Sequence, residues 1–223
     1  MPKILVHDNS EAITQTLLKE WASWSEGEGV FLSGGTRFRS LYAAAPKTAA
    51  SLFLVDERMV SHDSPDSTAG MLGTLYLNRF PDIDFHAPDT SRPDAAQAYE
   101  QDIEQWQASG GQFTVGLFGI GADGHTASLF PKQYAHDVQS PALVLQTEAE
   151  MQPFVSRITI TPAFIQSLQR RIFVALGEGN RDIVRQIFLE QKSYPATDLS
   201  SDALVLMDQA AAADLPFELY DLV

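Results

Sequence analysis

The sequence predicts an α/β protein: a single-domain, mostly parallel twisted sheet over residues 1–223, with helices on both faces. Three observations carry this. Short apolar runs alternate with amphipathic segments from end to end. The runs are apolar throughout instead of alternating with polar residues, as strands covered on both faces require. Finally, 223 residues with 44% hydrophobic and 10% aromatic content can bury one sizeable core. No internal repeat, low-complexity tract or interdomain linker breaks the pattern.

The elements follow in order. Lys3–Val6 reads as a strand. Ser10 is the expected N-cap of a helix to about Trp24, whose Ile13, Leu17, Leu18, Trp21 and Trp24 recur near helical spacing. Val30–Leu32 is the next strand, followed by Gly34-Gly35 and a helix carrying Phe38, Leu41, Tyr42 and Ala45. Leu52–Val55 is a buried strand ending in Asp56-Glu57-Arg58, and a polar loop leads to a helix around Ala69–Leu77. Asp94–Ala108 reads as a surface helix ended by Gly110-Gly111, and Phe113–Ile120 is the most apolar strand. Leu143–Gln146, Arg157–Thr161, Ile172–Leu176 and Ala203–Met207 complete the strands. A helix is expected at Asn180–Leu189 and a short terminal one at Ala210–Ala213.

Charge and composition exclude several function classes. Fifteen Lys and Arg stand against 29 Asp and Glu, a net charge of −14. Nucleic acid and anionic membrane surfaces bind through excess positive charge and are not expected partners. An anionic small substrate would need a few local cations and backbone N–H groups. Cysteine is absent, which removes disulfides, thiolate nucleophiles and Cys-ligated metals and suits a reducing cytoplasm. The start, Met1 to Asp8, has only three apolar residues in a row, too few for a signal peptide. No stretch approaches the roughly 20 apolar residues of a membrane span.

In such folds, ligands bind beyond the carboxyl ends of the strands. Three strand-ends carry unusual residues. Ser33-Gly34-Gly35-Thr36 runs from a strand into a helix, which lets backbone N–H groups approach an anion; a tight structural turn would also want glycine. It lacks the lysine of a nucleotide-binding P-loop. Asp56-Glu57-Arg58 is either a solvated loop entry or the source of an arginine that grips phosphate or carboxylate. Gly119-x-Gly121-x-x-Gly124 matches a dinucleotide fingerprint formally, but Pro131 follows too soon for the long helix that fingerprint opens. The same turn instead places Asp123 two residues before His125. A histidine is the natural general base near neutral pH, and a carboxylate beside it can fix its tautomer. His7, His62, His86 and His136 form no metal-ligand spacing, and no Gly-x-Ser-x-Gly elbow occurs.

Gly119–Pro131, reading GIGADGHTASLFP, closely resembles the signature of the 6-phosphogluconolactonases, a family in one superfamily with the glucosamine-6-phosphate deaminases. Ser33–Thr36 with Leu41-Tyr42 resembles the family's first block. Asp56–Arg58 with Asp66-Ser67 and Met71 resembles the second, and Arg157-Ile158-Thr159, Gly177 and Pro195-Ala196 the later ones. Thr126–Pro131 follows the lactonases; the deaminases carry a different continuation there. The chain departs from the pattern at Thr36-Arg37-Phe38, at Thr68, and after Gly177, where Asn180 and Arg181 stand in place of the usual lysine.

The resemblance implies a Rossmann-like fold of the sugar-phosphate isomerase type. It also implies hydrolysis of 6-phosphoglucono-1,5-lactone, a sugar-phosphate lactone, to 6-phosphogluconate in the oxidative pentose phosphate pathway, without cofactor or metal and by a monomer. His125 would be the general base, oriented by Asp123. Substrate and phosphate would meet Ser33, Gly34, Gly35, Thr36, Asp56, Arg58, Gly121, Gly124, Arg157 and Arg181. Oxyanion donors would come from the Gly34-Gly35 or Gly121–Gly124 turns, and Arg37 and Arg181 are the candidates to replace the missing positive charge. Two alternatives remain: an amino-sugar-phosphate isomerase/deaminase with Asp56 as base, and a non-catalytic sugar-phosphate-binding protein.

Overall fold

The computed structural model describes residues 1–223. Strand β1 (Lys3–His7) leads to helix α1 (Ser10–Trp21). Asn9, one residue before the expected cap, is the N-cap: its backbone is still extended, and its side chain accepts from the N–H of Ala12 at 3.0 Å. The helix ends at Trp21, yet Trp24 still packs on it, with ring centroids 4.7 Å apart. Next come β2 (Glu28–Leu32), a tight turn at Thr36–Phe38 and α2 (Arg39–Ala44). Strand β3 (Ser51–Leu54) is separated from β4 (Asp56–Arg58) by Val55 alone. Helix α3 (Thr68–Leu72) widens into a π turn through Leu77.

The chain continues with β5 (Phe85–His86), α4 (Ala95–Ala108), β6 (Gln112–Gly119) and α5 (Tyr134–Asp137). Then follow β7 (Val144–Thr147), β8 (Arg157–Ile160), α6 (Pro162–Ser167) and β9 (Arg170–Ala175). Helix α7 (Arg181–Val184) runs on in a π turn to Leu189, before α8 (Pro195–Leu199), β10 (Leu204–Asp208), α9 (Gln209–Ala212) and β11 (Asp221–Leu222).

Eight strands form one parallel sheet in the order β11-β1-β10-β9-β6-β2-β3-β5. Its strands are apolar at successive residues because each face has a helical cover. Val30 and Leu32 of β2 face the cluster that holds Ile13, Leu17 and Trp21 of α1, with Tyr42 and Leu72. Phe31 between them faces the other cluster, with Tyr99 and Ile103 of α4 and Phe164 of α6. β3 repeats the division, with Leu52 and Leu54 on one side and Phe53 on the other. No helix is long and apolar enough to cross a membrane.

Two of the expected strands lie outside the parallel sheet. Arg157–Ile160 and Val144–Thr147 do not join the main sheet; with Asp56–Arg58 they make a three-stranded antiparallel sheet, order β4-β8-β7. Val55 allows no crossover before β4, so the chain peels off the parallel sheet and pairs antiparallel instead. Asp56-Glu57-Arg58 is therefore a strand, and its side chains alternate between two environments.

Candidate active site

β2 and β6 are neighbours at the centre of the sheet. The chain leaving β2 moves toward β3 and β5, whereas the chain leaving β6 moves toward β9 and β10. Loops that diverge this way open a crevice at the carboxyl ends of the strands. A cleft of about 280 Å³ lies there, lined by Ser33, Gly34, Gly35, Thr36, Asp56, Arg58, Gly121 and His125. All three unusual strand-ends thus converge on one space. Two roomier surface hollows, beside Met1 and Tyr220 and beside His62 and Asn78, gather none of them.

His125 is the one histidine on the cleft. Its side chain is 18% exposed, its ring packs against Phe130, and its Nδ1 bonds Oδ1 of Asp123. That oxygen also accepts the His125 backbone N–H at 3.1 Å. Burial works to raise the Asp123 pKa, but the hydrogen bond and charge of His125 outweigh it and hold the carboxyl below its ordinary value. A carboxylate on Nδ1 keeps the proton there, leaving Nε2 as the basic nitrogen. Asp123 stands behind the ring and does not line the cleft.

The turn is shaped for this ring. Gly121 N–H donates to the His125 carbonyl at 2.8 Å, and Gly124 N–H to the Gly121 carbonyl at 3.0 Å. Both N–H groups are consumed inside the turn, so neither serves as an oxyanion donor. Gly124 does not reach the cleft: at φ +86° it lies beneath the Tyr194 ring, where a Cβ would come within 2.4 Å. By contrast, the N–H groups of Gly34, Gly35 and Ala122 have no acceptor in the protein.

The β4 side chains sort by face. Asp56 is 9% exposed. Its Oδ2 accepts from the Ser128 hydroxyl at 2.7 Å, and its Oδ1 is open to the cleft. Glu57 points away and is fully buried. It accepts from the N–H groups of Thr68 and Ala69 at 2.8 and 2.7 Å and from the Ser67 hydroxyl at 3.0 Å, an acid at the start of α3. Arg58 returns to the cleft. Its Nη1 donates to the Asp66 carbonyl at 3.0 Å, and its Nε is buried without a partner.

Two expected contacts lie elsewhere. Arg157 stands directly opposite Arg58 in the β4–β8 pair, is 2% exposed, and donates to the Pro153 carbonyl at 3.0 Å. Burial and then the Arg58 charge depress its pKa, against Asp56, Asp66 and Glu57. It backs Arg58 and does not line the cleft. Arg181 is turned outward, where its Nε and Nη2 grip the Asp214 carboxylate. In its place Asn180 lines the cleft, donating to the Ile120 carbonyl at 2.7 Å. Arg37 and Met151 line it too. Asn180 follows the glycine turn after β9 and Ser128 lies within the Gly119–Pro131 segment, whereas Met151 has no local signature.

An imidazole braced by a carboxylate, in a cleft with arginines that meet no carboxylate and with free N–H groups, is an arrangement able to perform acid–base chemistry on a small anion. The comparisons agree with this class. A family profile described as "Glucosamine-6-phosphate isomerases/6-phosphogluconolactonase" matches residues 3–206, and the chain belongs to that family. It is 34% identical over 205 residues to a 6-phosphogluconolactonase from Nostoc sp., covering 83% of this chain and 84% of the relative. A 6-phosphogluconolactonase from Synechocystis sp. is 30% identical, covering 96% and 95%. The fold superposes on that of 6-phosphogluconolactonase from Trypanosoma cruzi with a TM-score of 0.82 at 23% identity, over 96% of this chain and 97% of that one.

Proposed function

We propose that the protein hydrolyses 6-phosphoglucono-1,5-lactone to 6-phosphogluconate. The observation that carries this is His125, fixed through Nδ1 by Asp123, in a cleft where Arg58 and free backbone N–H groups await an anion. Relatives at 30–34% identity bearing that activity in their names support it.

A lactone is an activated ester. Nε2 of His125 takes a proton from water as the water oxygen bonds to the carbonyl carbon. The carbonyl electrons move onto its oxygen, which the free N–H of Ala122 on the cleft can meet. When the tetrahedral centre collapses, the bond to the ring oxygen breaks and the imidazolium returns the proton to it. General-base help of this kind contributes about 10²–10⁴ in rate. Arg58 and the Gly34-Gly35 N–H groups hold the phosphate, and the Asp56 Oδ1 faces a sugar hydroxyl.

A second reading, isomerisation with deamination of an amino-sugar phosphate, draws on the Asp56 carboxylate sharing the cleft with His125. The lactonase-like continuation Thr126–Pro131 favours hydrolysis. The protein is taken to act as one domain, as a monomer, in the cytoplasm. The test is turnover of freshly generated 6-phosphoglucono-1,5-lactone above the uncatalysed background. Ammonia release from glucosamine 6-phosphate without lactone turnover would select the second reading, and binding of 6-phosphogluconate with neither activity a non-catalytic protein.

A further inference from the structure

The cleft holds more positive charge than Arg58 alone. Arg37 reaches it from the turn after β2 and crosses beneath the ends of the neighbouring strands. Its Nη1 donates to the Ile120 carbonyl at 2.6 Å and the Val174 carbonyl at 2.9 Å, closing off the C-terminal ends of β6 and β9. Its remaining guanidinium nitrogens have no partner in the protein and are not sealed from solvent. The Ile120 carbonyl also accepts from Asn180, so Arg37 and Asn180 meet on one oxygen.

Of the other arginines near this edge, Arg181 is neutralised by Asp214 and Arg185 by Asp182 and Glu190, while Arg157 is buried outside the cleft with its guanidinium on the Pro153 carbonyl. Arg37 and Arg58 have no carboxylate within 4.0 Å. In a chain of net charge −14, two uncompensated guanidinium groups on one cleft mark a place where an anion completes the charge balance. Burial depresses the Arg37 pKa, a cost that an anion beside it offsets. The two carbonyls also hold the fork in place, so little side-chain entropy is lost on binding.

We propose that Arg37 is a second phosphate-binding residue, acting with Arg58, and that it sets the preference for a phosphorylated over an unphosphorylated sugar lactone. The substrate class rests on the reading above; the anion site does not. Asn180 is a neutral neighbour that leaves the anion to Arg37.

The test compares 6-phosphoglucono-1,5-lactone with glucono-1,5-lactone. Arg37→Met is expected to raise KM for the phosphorylated lactone by about tenfold or more, the worth of one charge-assisted contact. KM for the unphosphorylated lactone and kcat should change by less than about threefold. Adding Asn180→Lys to Arg37→Met restores a cation beside the same carbonyl and should recover most of the KM. Should Arg37→Met not fold, Asn180→Asp places a carboxylate beside an intact Arg37 and is expected to give the same selective rise. Equal KM changes on both lactones, or none, would overturn the proposal, since a purely structural role cannot tell them apart. If the wild type turns over neither lactone, the functional reading fails separately. The anion site is then judged with inorganic phosphate: it stands if phosphate raises the Tm of the wild type but not of Arg37→Met, and falls otherwise.

Discussion

Gly121 and His125 share a contact that only glycine permits: a Cβ on residue 121 would lie 2.1 Å from Nδ1 of the imidazole. Gly121→Ala must therefore push the ring off Asp123 while leaving the sheet untouched. Turnover is expected to fall about 10²–10⁴-fold, the worth of the general base, with the circular dichroism spectrum unchanged. Near-normal kcat in this variant would show that the ring position is not what sets the rate.

The base itself is tested directly. His125→Ala is expected to lose about 10²–10⁴ in kcat with KM little changed, whereas Ala at the exposed His62 or His136 should be silent. Asp123→Asn removes the charge that fixes the tautomer and should lower kcat in the same direction. Because His125 holds the Asp123 carboxyl below its ordinary value, Asp123 stays charged at neutral pH.

Arg58 makes the corresponding prediction for binding. Arg58→Ala is expected to raise KM for the phosphorylated lactone about tenfold or more, with a much smaller effect on the unphosphorylated one. Steady-state kinetics on both substrates decides it, and parallel losses would remove Arg58 from the phosphate site.

Asp137 predicts a pH dependence of stability away from the cleft. Burial pushes its carboxyl up, with Glu150 adding to the effect and His136 opposing it, and its Oδ2 is sealed without a partner. Between about pH 4, where an unfolded aspartate titrates, and the raised folded value, the folded state holds more protons than the unfolded one. Stability therefore falls as pH rises through that window. Asp137→Asn removes this slope, so its Tm relative to the wild type should climb from pH 4 to pH 7. Thermal unfolding across that range checks it; a constant difference would contradict the assignment.

The sequence made the central strands and the site loops legible. β2, β3, β6, β9 and β10 each contain an unbroken run without polar side chains (Val30–Leu32, Leu52–Leu54, Val115–Phe118, Ile172–Ala175 and Leu204–Met207), the pattern of a sheet covered on both faces. Gly119–Pro131 carried the Asp123–His125 pair two residues apart, so no long-range information was needed to find it. The missed elements, β4, β5, β11, α5, α6 and α8, are two to six residues long. Such pieces are too short to express a period, and packing decides them.

What the sequence determined by itself was local: which segments are strands, and which turn presents an imidazole beside a carboxylate. What tertiary structure alone decided was which charges remain uncompensated. Arg181 and Arg37 read alike along the chain, yet Asp214, 33 residues away in sequence, takes the first out of the cleft, while carbonyls from two strand ends hold the second in it. Arg58 and Arg157 likewise became opposite neighbours only because one residue between β3 and β4 forced an antiparallel pairing. Pairing across the fold depends on where distant segments come to rest, and no local pattern encodes that distance.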